Sequence, residues 1–157
     1  MNLYEYIKIN HIDFFDKIKF FLDSKDCIVF GGFVKSILIN STWNKELDIL
    51  CYNYKDTLKE FIEIFTPDSI ENIDIHTILV YGEYRIDVCD MFITNDFSFN
   101  SLGLIGENLV VVPNIFINNI EFILNQLDKK EGFESRICPN YKKRKEKYKD
   151  WKILKRW

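Results

Sequence analysis

Between residues 27 and 52 the chain reads CIVFGGFVKSILINSTWNKELDILCY, a pattern of apolar runs and polar breaks that predicts strand, turn, helix, loop and strand. Cys27 to Phe30 form a short apolar run suited to a buried strand. Gly31 and Gly32 then offer a turn in which the backbone can approach a ligand with no Cβ in the way. A helix opening on these glycines would turn its free N–H groups and the positive end of its dipole toward an anion, most naturally a phosphate. Further on, Glu46-Leu47-Asp48-Ile49-Leu50-Cys51 alternates polar with apolar, so Glu46 and Asp48 share one face of a strand while Leu47, Ile49 and Cys51 share the other. Two carboxylates beside a phosphate cradle point to a divalent metal.

The flanking pattern fills in an α/β domain. Phe14, Phe15, Ile18, Phe21 and Leu22 mark a helical stripe over residues 12–22. Leu58, Phe61, Ile62 and Phe65 repeat at helical spacing over 53–65, with Asn53 placed to cap and Pro67 to stop the helix. Residues 73–80 and 84–93 read as two strands joined at Tyr81-Gly82-Glu83, a hairpin. In the second of them Arg85, Asp87, Cys89 and Met91 share a face, and Asp87 joins Glu46 and Asp48 if Ile86, Val88 and Phe92 point into the core. The segment 94–102 has no clean period; 109–112 reads as a short strand ended by Pro113, and 114–127 as a third helix. A charged break at 128–132 is the expected edge of the compact body, so that residues 1–132 form the domain and 133–157 a basic aromatic segment, read as helical beyond Pro139 and packed on it. The architecture expected is a small mixed, twisted sheet with helices on one face and the carboxylates on the other, open face.

Charge sharpens this division. The whole chain carries −3 over 157 residues, but from Arg136 onward there are ten Lys/Arg against two Asp/Glu, a net of +8, and eleven against twenty-two before it, a net of −11. Lys142, Lys143, Arg144, Lys145 and Lys147, with Tyr141, Tyr148, Trp151 and Trp157 among them, form a candidate nucleic-acid surface: cations for phosphates and aromatic rings for unpaired bases. The same residues read equally as a C-terminal helix whose rings pack on an acidic body. With 47% hydrophobic and 16% aromatic residues, disorder is excluded for most of the chain. No apolar run reaches membrane-spanning length, and the N-terminus, with Glu5 and Lys8, lacks a signal-peptide pattern, so a soluble cytoplasmic protein with no membrane partner is expected. Abundant Asn, Ile, Lys and Phe hint at an AT-rich genome, such as that of a large DNA virus or a parasite. The cysteines Cys27, Cys51, Cys89 and Cys138 are widely spaced, three of them within apolar runs, and read as reduced core residues. His11 reads as a surface or capping residue, and His76, lone on its strand, as structural.

Three segments in the right order carry a resemblance. Gly31-Gly32-Phe33-Val34-Lys35-Ser36-Ile37-Leu38 resembles the G-G-x-V-R-D-x-L-L signature of the nucleotidyltransferase head of poly(A) polymerases and CCA-adding enzymes of the bacterial type. Glu46-Leu47-Asp48-Ile49 looks like its D-x-D strand, and Asp96-Phe97-Ser98-Phe99-Asn100-Ser101-Leu102 is similar to its R-R-D-F-T-I-N-A-L segment. The resemblance implies transfer of a nucleoside monophosphate from a nucleoside triphosphate to a hydroxyl, commonly an RNA 3′ end, by a two-metal mechanism with Mg²⁺ or Mn²⁺. It further implies that Glu46, Asp48 and Asp87 hold the metals, that Gly31, Gly32 and Lys35 hold the triphosphate, and that Asp96 and Asn100 lie on the ribose side. Departures accompany the matches. Glu46 stands for an Asp, Ser36 for an Asp, Thr94-Asn95 for two arginines, and the later acidic and arginine motif that selects the base has no counterpart. These departures leave open a second reading, a domain of this fold that has lost catalysis and serves as a binding module for nucleic acid or a protein. A third is one subunit of a complex, its tail docking a partner that completes the site.

Overall fold

The structure is a computed structural model that describes residues 18, 21–25, 27–39, 41–73, 76–90, 97–106, 108–112, 119–134 and 141–156. The buried run β1 (Ile28–Phe30) ends at Gly31, whose φ of 74° is left-handed, and α1 (Gly32–Leu38) begins at once. Then come β2 (Glu46–Cys51) and the amphipathic α2 (Tyr54–Ile64). Asn53 holds the N-cap position of α2, but its side chain donates to Asp56 at 3.1 Å rather than accepting from the helix backbone. Three antiparallel strands follow: β3 (Ser69–Ile73), β4 (His76–Tyr81) and β5 (Tyr84–Asp90). Gly82, at φ 61°, makes the tight turn between the last two. A 3₁₀ turn over Ser98–Asn100 leads to β6 (Leu102–Ile105) and β7 (Asn108–Val111). The chain continues with α3 (Ile120–Lys129), β8 (Glu131–Glu134), α4 (Tyr141–Lys147) and β9 (Lys152–Arg156).

Seven strands form one sheet in the order β3-β4-β5-β2-β1-β6-β7, and β8 pairs with β9 in a second. Within the large sheet only β2 and β5 run parallel, which makes it mixed and mostly antiparallel. Strand alternation sorts the two faces. Leu47 and Ile49 of β2, Ile86 and Val88 of β5, Val29 of β1 and Leu79 of β4 join a core with Phe33 of α1, Phe61 of α2 and the helical residues Phe21 and Leu22. The opposite face carries a smaller cluster of Ile28, Phe30, Leu50, Cys89 and Val112, with Asp48 and Asp87 beside it. Ile86 and Val88, two of the three residues on which the placing of Asp87 depends, are fully buried, and Phe92 lies outside the described residues. The mixed sheet with helices on one face and carboxylates on the other is thus the architecture observed.

Several elements differ from the expectation. Of the helix over 12–22, residues 18, 21 and 22 are described and are helical; the others, His11 before them and residues 91–96 lie outside the described residues. The strand expected over 73–80 is two: Ile73 closes β3 and His76 opens β4. Ser69-Ile70-Glu71-Asn72 is exposed, so this edge strand carries little apolar signal. Strand β6 was not expected either, because its four residues follow a turn too closely to establish a period. Of the third helix, residues 114–118 lie outside the described residues; the described helix Ile120–Lys129 has the Asn119 side chain accepting from the Phe122 N–H at 3.0 Å and is capped by Lys130, left-handed at φ 52°. Where the basic segment reads as one helix, the chain forms the seven-residue α4 and then β9, which lies parallel to β8. Cys27, Cys51 and Cys89 are buried free thiols, with Cys27 and Cys51 sulfurs 3.7 Å apart; Cys138 lies outside the described residues.

Candidate active site

The site begins where β1 turns into α1. A Cβ on Gly31 would lie 2.8 Å from the Asp48 Oδ2, inside van der Waals contact, and the positive φ disfavours any side chain there. Glycine at 31 is therefore what lets the Asp48 carboxylate rest against the turn. A Cβ on Gly32 would meet nothing within 4 Å, so the space beside it is open.

Asp48 pairs in register with Asp87 across the parallel strands β2 and β5, and Glu46 lies two residues earlier on the same face. Burial, then the charges of Asp87 and Glu46, push the Asp48 carboxyl up to about 7; the cations of Arg144 and Lys147 act in the other direction. Burial also raises Asp87, opposed by its hydrogen bond to the His76 ring, whose Nδ1 lies 2.7 Å from Asp87 Oδ1. Glu46 is exposed, with Asn44 Nδ2 donating to its Oε2 at 3.3 Å. Its strand is entered through Lys45 at φ 64°, a left-handed non-glycine residue, and is held by the indole N–H of Trp43, which donates to the Glu46 carbonyl at 2.7 Å. The three carboxylates expected on one face are brought together.

The expected nucleotide residues have different surroundings. Lys35, one turn into α1, is only 9% exposed, and its ammonium donates to the Tyr148 hydroxyl at 2.7 Å. Asn100 Nδ2 donates to the same oxygen at 3.2 Å. The ammonium also lies 4.1 Å from the Tyr148 ring centroid, 5.4 Å from that of Phe99 and 5.7 Å from that of Trp151, an aromatic enclosure suited to a cation. So Lys35 and Asn100 do meet, at a phenol from the basic segment. Asp96 lies outside the described residues.

Of the expected nucleic-acid residues, Lys142, Lys143, Lys145 and Lys147 are exposed on α4 and Arg144 is half-buried. The positive charges of Arg144 and Lys147 act on Asp48, against the effect of its burial. Two participants escaped sequence reading. Tyr148 left a trace, an aromatic residue inside a charged run. His76 left none, because only cross-strand pairing of β4 with β5 brings it to Asp87.

Asp87 belongs both to the expected carboxylates and to a second group of potential ligands. Asp48 and Asp87, with the exposed Glu46 on the same face, offer the hard carboxylate oxygens that Mg²⁺ or Mn²⁺ takes, and the repulsion between the two desolvated groups is what a divalent cation would relieve. His76, Asp87 and Cys89 also place one ligand atom each within 4.8 Å of one another. Burial, with the nearby charges of Asp87 and Asp48, holds the Cys89 proton in place, which disfavours the thiolate that a softer metal would need.

Solved structures share this arrangement of strands and helices. A CCA-adding enzyme in complex with ATP superposes with a TM-score of 0.60 at 18% identity, over 83% of this chain and 34% of that one. The fold is nucleotidyltransferase-like. An apo form of a CCA-adding enzyme matches at TM-score 0.60 and 16% identity, over 84% of this chain and 36% of that one. The Thermotoga maritima CCA-adding enzyme complexed with tRNA matches at 0.55 and 17%, over 84% and 35%. The chain thus spans about a third of the length of these enzymes, and at such identities the likeness is one of fold. No family model matches the sequence, nor does any curated protein sequence.

Proposed function

We propose that this nucleotidyltransferase-like chain is a minimal transferase that moves a nucleoside monophosphate from a nucleoside triphosphate to a hydroxyl, with an RNA 3′ end as acceptor. The observation that carries this reading is the register-paired Asp48 and Asp87, desolvated on the open face, with Asp48 seated against a glycine turn that no Cβ could share. Glu46, Asp48 and Asp87 would hold the divalent metal. When bound, it would activate the acceptor hydroxyl and offset the charge on the transferred and leaving phosphates.

The chain's own residues divide the remaining work. His76 fixes one oxygen of Asp87, leaving the other to turn toward a ligand. The open space beside Gly32 admits a bulky anion close to the backbone. Arg144 and Lys147 supply positive potential at Asp48, in a site whose sequence lacks the arginines expected at 94 and 95. Lys35 and Asn100 brace the turn through Tyr148 and thereby hold the basic segment over the site.

The test is incorporation of each labelled nucleoside triphosphate into short RNA with Mg²⁺ or Mn²⁺, comparing the intact chain with Asp48→Asn. Incorporation that falls to background in the variant supports the reading. Folded intact protein that transfers no nucleotide to any acceptor overturns it. A specific observation favours the binding-module alternative: the Lys35 ammonium is already engaged by Tyr148, Phe99 and Trp151. In that case RNA binding without incorporation, unchanged by Asp48→Asn, is the expected result.

A further inference from the structure

Apart from the carboxylates, the C-terminal segment and Glu134 of β8 line an open cavity of about 290 Å³, formed by Glu134, Lys145, Tyr148, Lys149, Trp151, Ile153 and Leu154. Its walls differ in chemistry. The Trp151 indole is held by Phe99, with ring centroids 4.3 Å apart and planes 34° from each other, so a flat aromatic surface is set in place before any ligand arrives. Leu154 is 41% exposed, an apolar side chain open to water at the rim. Lys145 of α4 and Lys149 just beyond its end both line the cavity, so it has two cationic side chains. The ion pair of Lys149 with Glu146, at 3.8 Å between exposed groups, restrains it little. Glu134, at the end of β8 and only 7% exposed, adds a carboxylate to the lining.

An aromatic plane, two cations and one buried acceptor suit a nucleotide. The phosphate meets Lys145 and Lys149, the base face lies on the indole, and N–H groups of the base edge donate to Glu134. An acidic peptide would satisfy the lysines but be repelled by Glu134, and a lipid chain would leave that carboxylate facing hydrocarbon. Tyr148 ties the cavity to the active site, since its side chain lines the cavity while its hydroxyl holds Lys35 and Asn100.

We propose that this cavity seats one unpaired nucleotide of a single-stranded RNA; that the strand is the acceptor rests on the transferase reading above. The net +8 of the C-terminal segment favours a polyanionic strand over a lone nucleotide.

The test uses the intact chain and short oligouridylates carrying iodouridine, cross-linked by light and mapped by mass spectrometry. An adduct on Trp151 or Tyr148, competed by unlabelled oligouridylate but not by equal nucleotide as uridine monophosphate, supports the proposal. An adduct confined to other residues, the absence of RNA binding, or equal competition by the mononucleotide overturns it. Because Lys149 is exposed, Lys149→Glu tests the site without disturbing the core, and it should weaken oligouridylate binding about tenfold. Unchanged affinity in that folded variant counts against the cavity. The two readings fail separately. Incorporation with the adduct elsewhere removes the cavity alone, whereas a Trp151 adduct without incorporation supports the cavity and removes the transferase.

Discussion

The two faces of the sheet are made by the same strands and could hardly be less alike. On one, Leu47, Ile49, Ile86 and Val88 sit beneath helices and are almost fully buried; on the other, Asp48 and Asp87 lie beside a smaller apolar cluster, and the charges of Arg144 and Lys147 act on Asp48. The helical face stabilises the fold by removing apolar surface from water. The open face works against it, since two desolvated carboxylates repel each other. A strong apolar face is what allows the strands to carry an unfavourable one.

Four substitutions would break or sharpen that contrast, and the first acts on the helical face. Leu47→Ala removes a fully buried side chain and should destabilise the fold by about 2–5 kcal/mol in denaturant melts. Gly31→Ala acts at the junction of the faces. It meets both the positive φ and the Asp48 oxygen 2.8 Å away, so a loss of about 1–3 kcal/mol is expected, with displacement of Asp48 visible as lost Mg²⁺ stabilisation.

Asp48→Asn should have the opposite sign. The Asp48 pKa rises from its ordinary 3.8 to about 7 on folding, so the folded chain holds this proton longer than the unfolded one. Its contribution is fully present below pH 3.8 and is lost as pH rises through about 7; burial raises Asp87 in the same sense. In metal-free buffer at pH 8 the Asn variant should therefore melt about 2–4 °C higher than the native chain for each ~1 kcal/mol relieved, and the gap should close toward pH 4. Mg²⁺ should stabilise the native chain at pH 8 far more than at pH 5, and should leave the variant largely unmoved. The smallest effect belongs to Glu46→Gln. Its exposed carboxylate should change stability by less than about 0.5 kcal/mol, while Mg²⁺-dependent stabilisation falls if Glu46 shares the metal.

How much of this was legible beforehand differs between elements. The glycine turn and the alternation in β2 and β5 were readable because each is local: period two assigns faces, and consecutive glycines announce a special backbone. The edge strand β3 and the short β6 were not, since one is polar and exposed and the other has four residues after a turn. Among site residues, Glu46, Asp48 and Asp87 could be placed on one face by counting. Lys35 could be named but not located, because its enclosure comes from Tyr148 and Trp151, more than a hundred residues further along the chain.

By itself, then, the sequence determined a mixed α/β domain, the face that carries the acids, the turn that approaches them and the division between acidic body and basic tail. Each follows from side-chain periodicity, backbone freedom or charge count, which act over a few residues or none at all. Only the tertiary structure decided that Asp48 and Asp87 pair in register, that His76 holds Asp87, and that Tyr148 joins Lys35 to Asn100. Those are contacts between distant segments. They arise from strand register and core packing, in which every residue of a face must find its partner at once, and no local pattern encodes that choice.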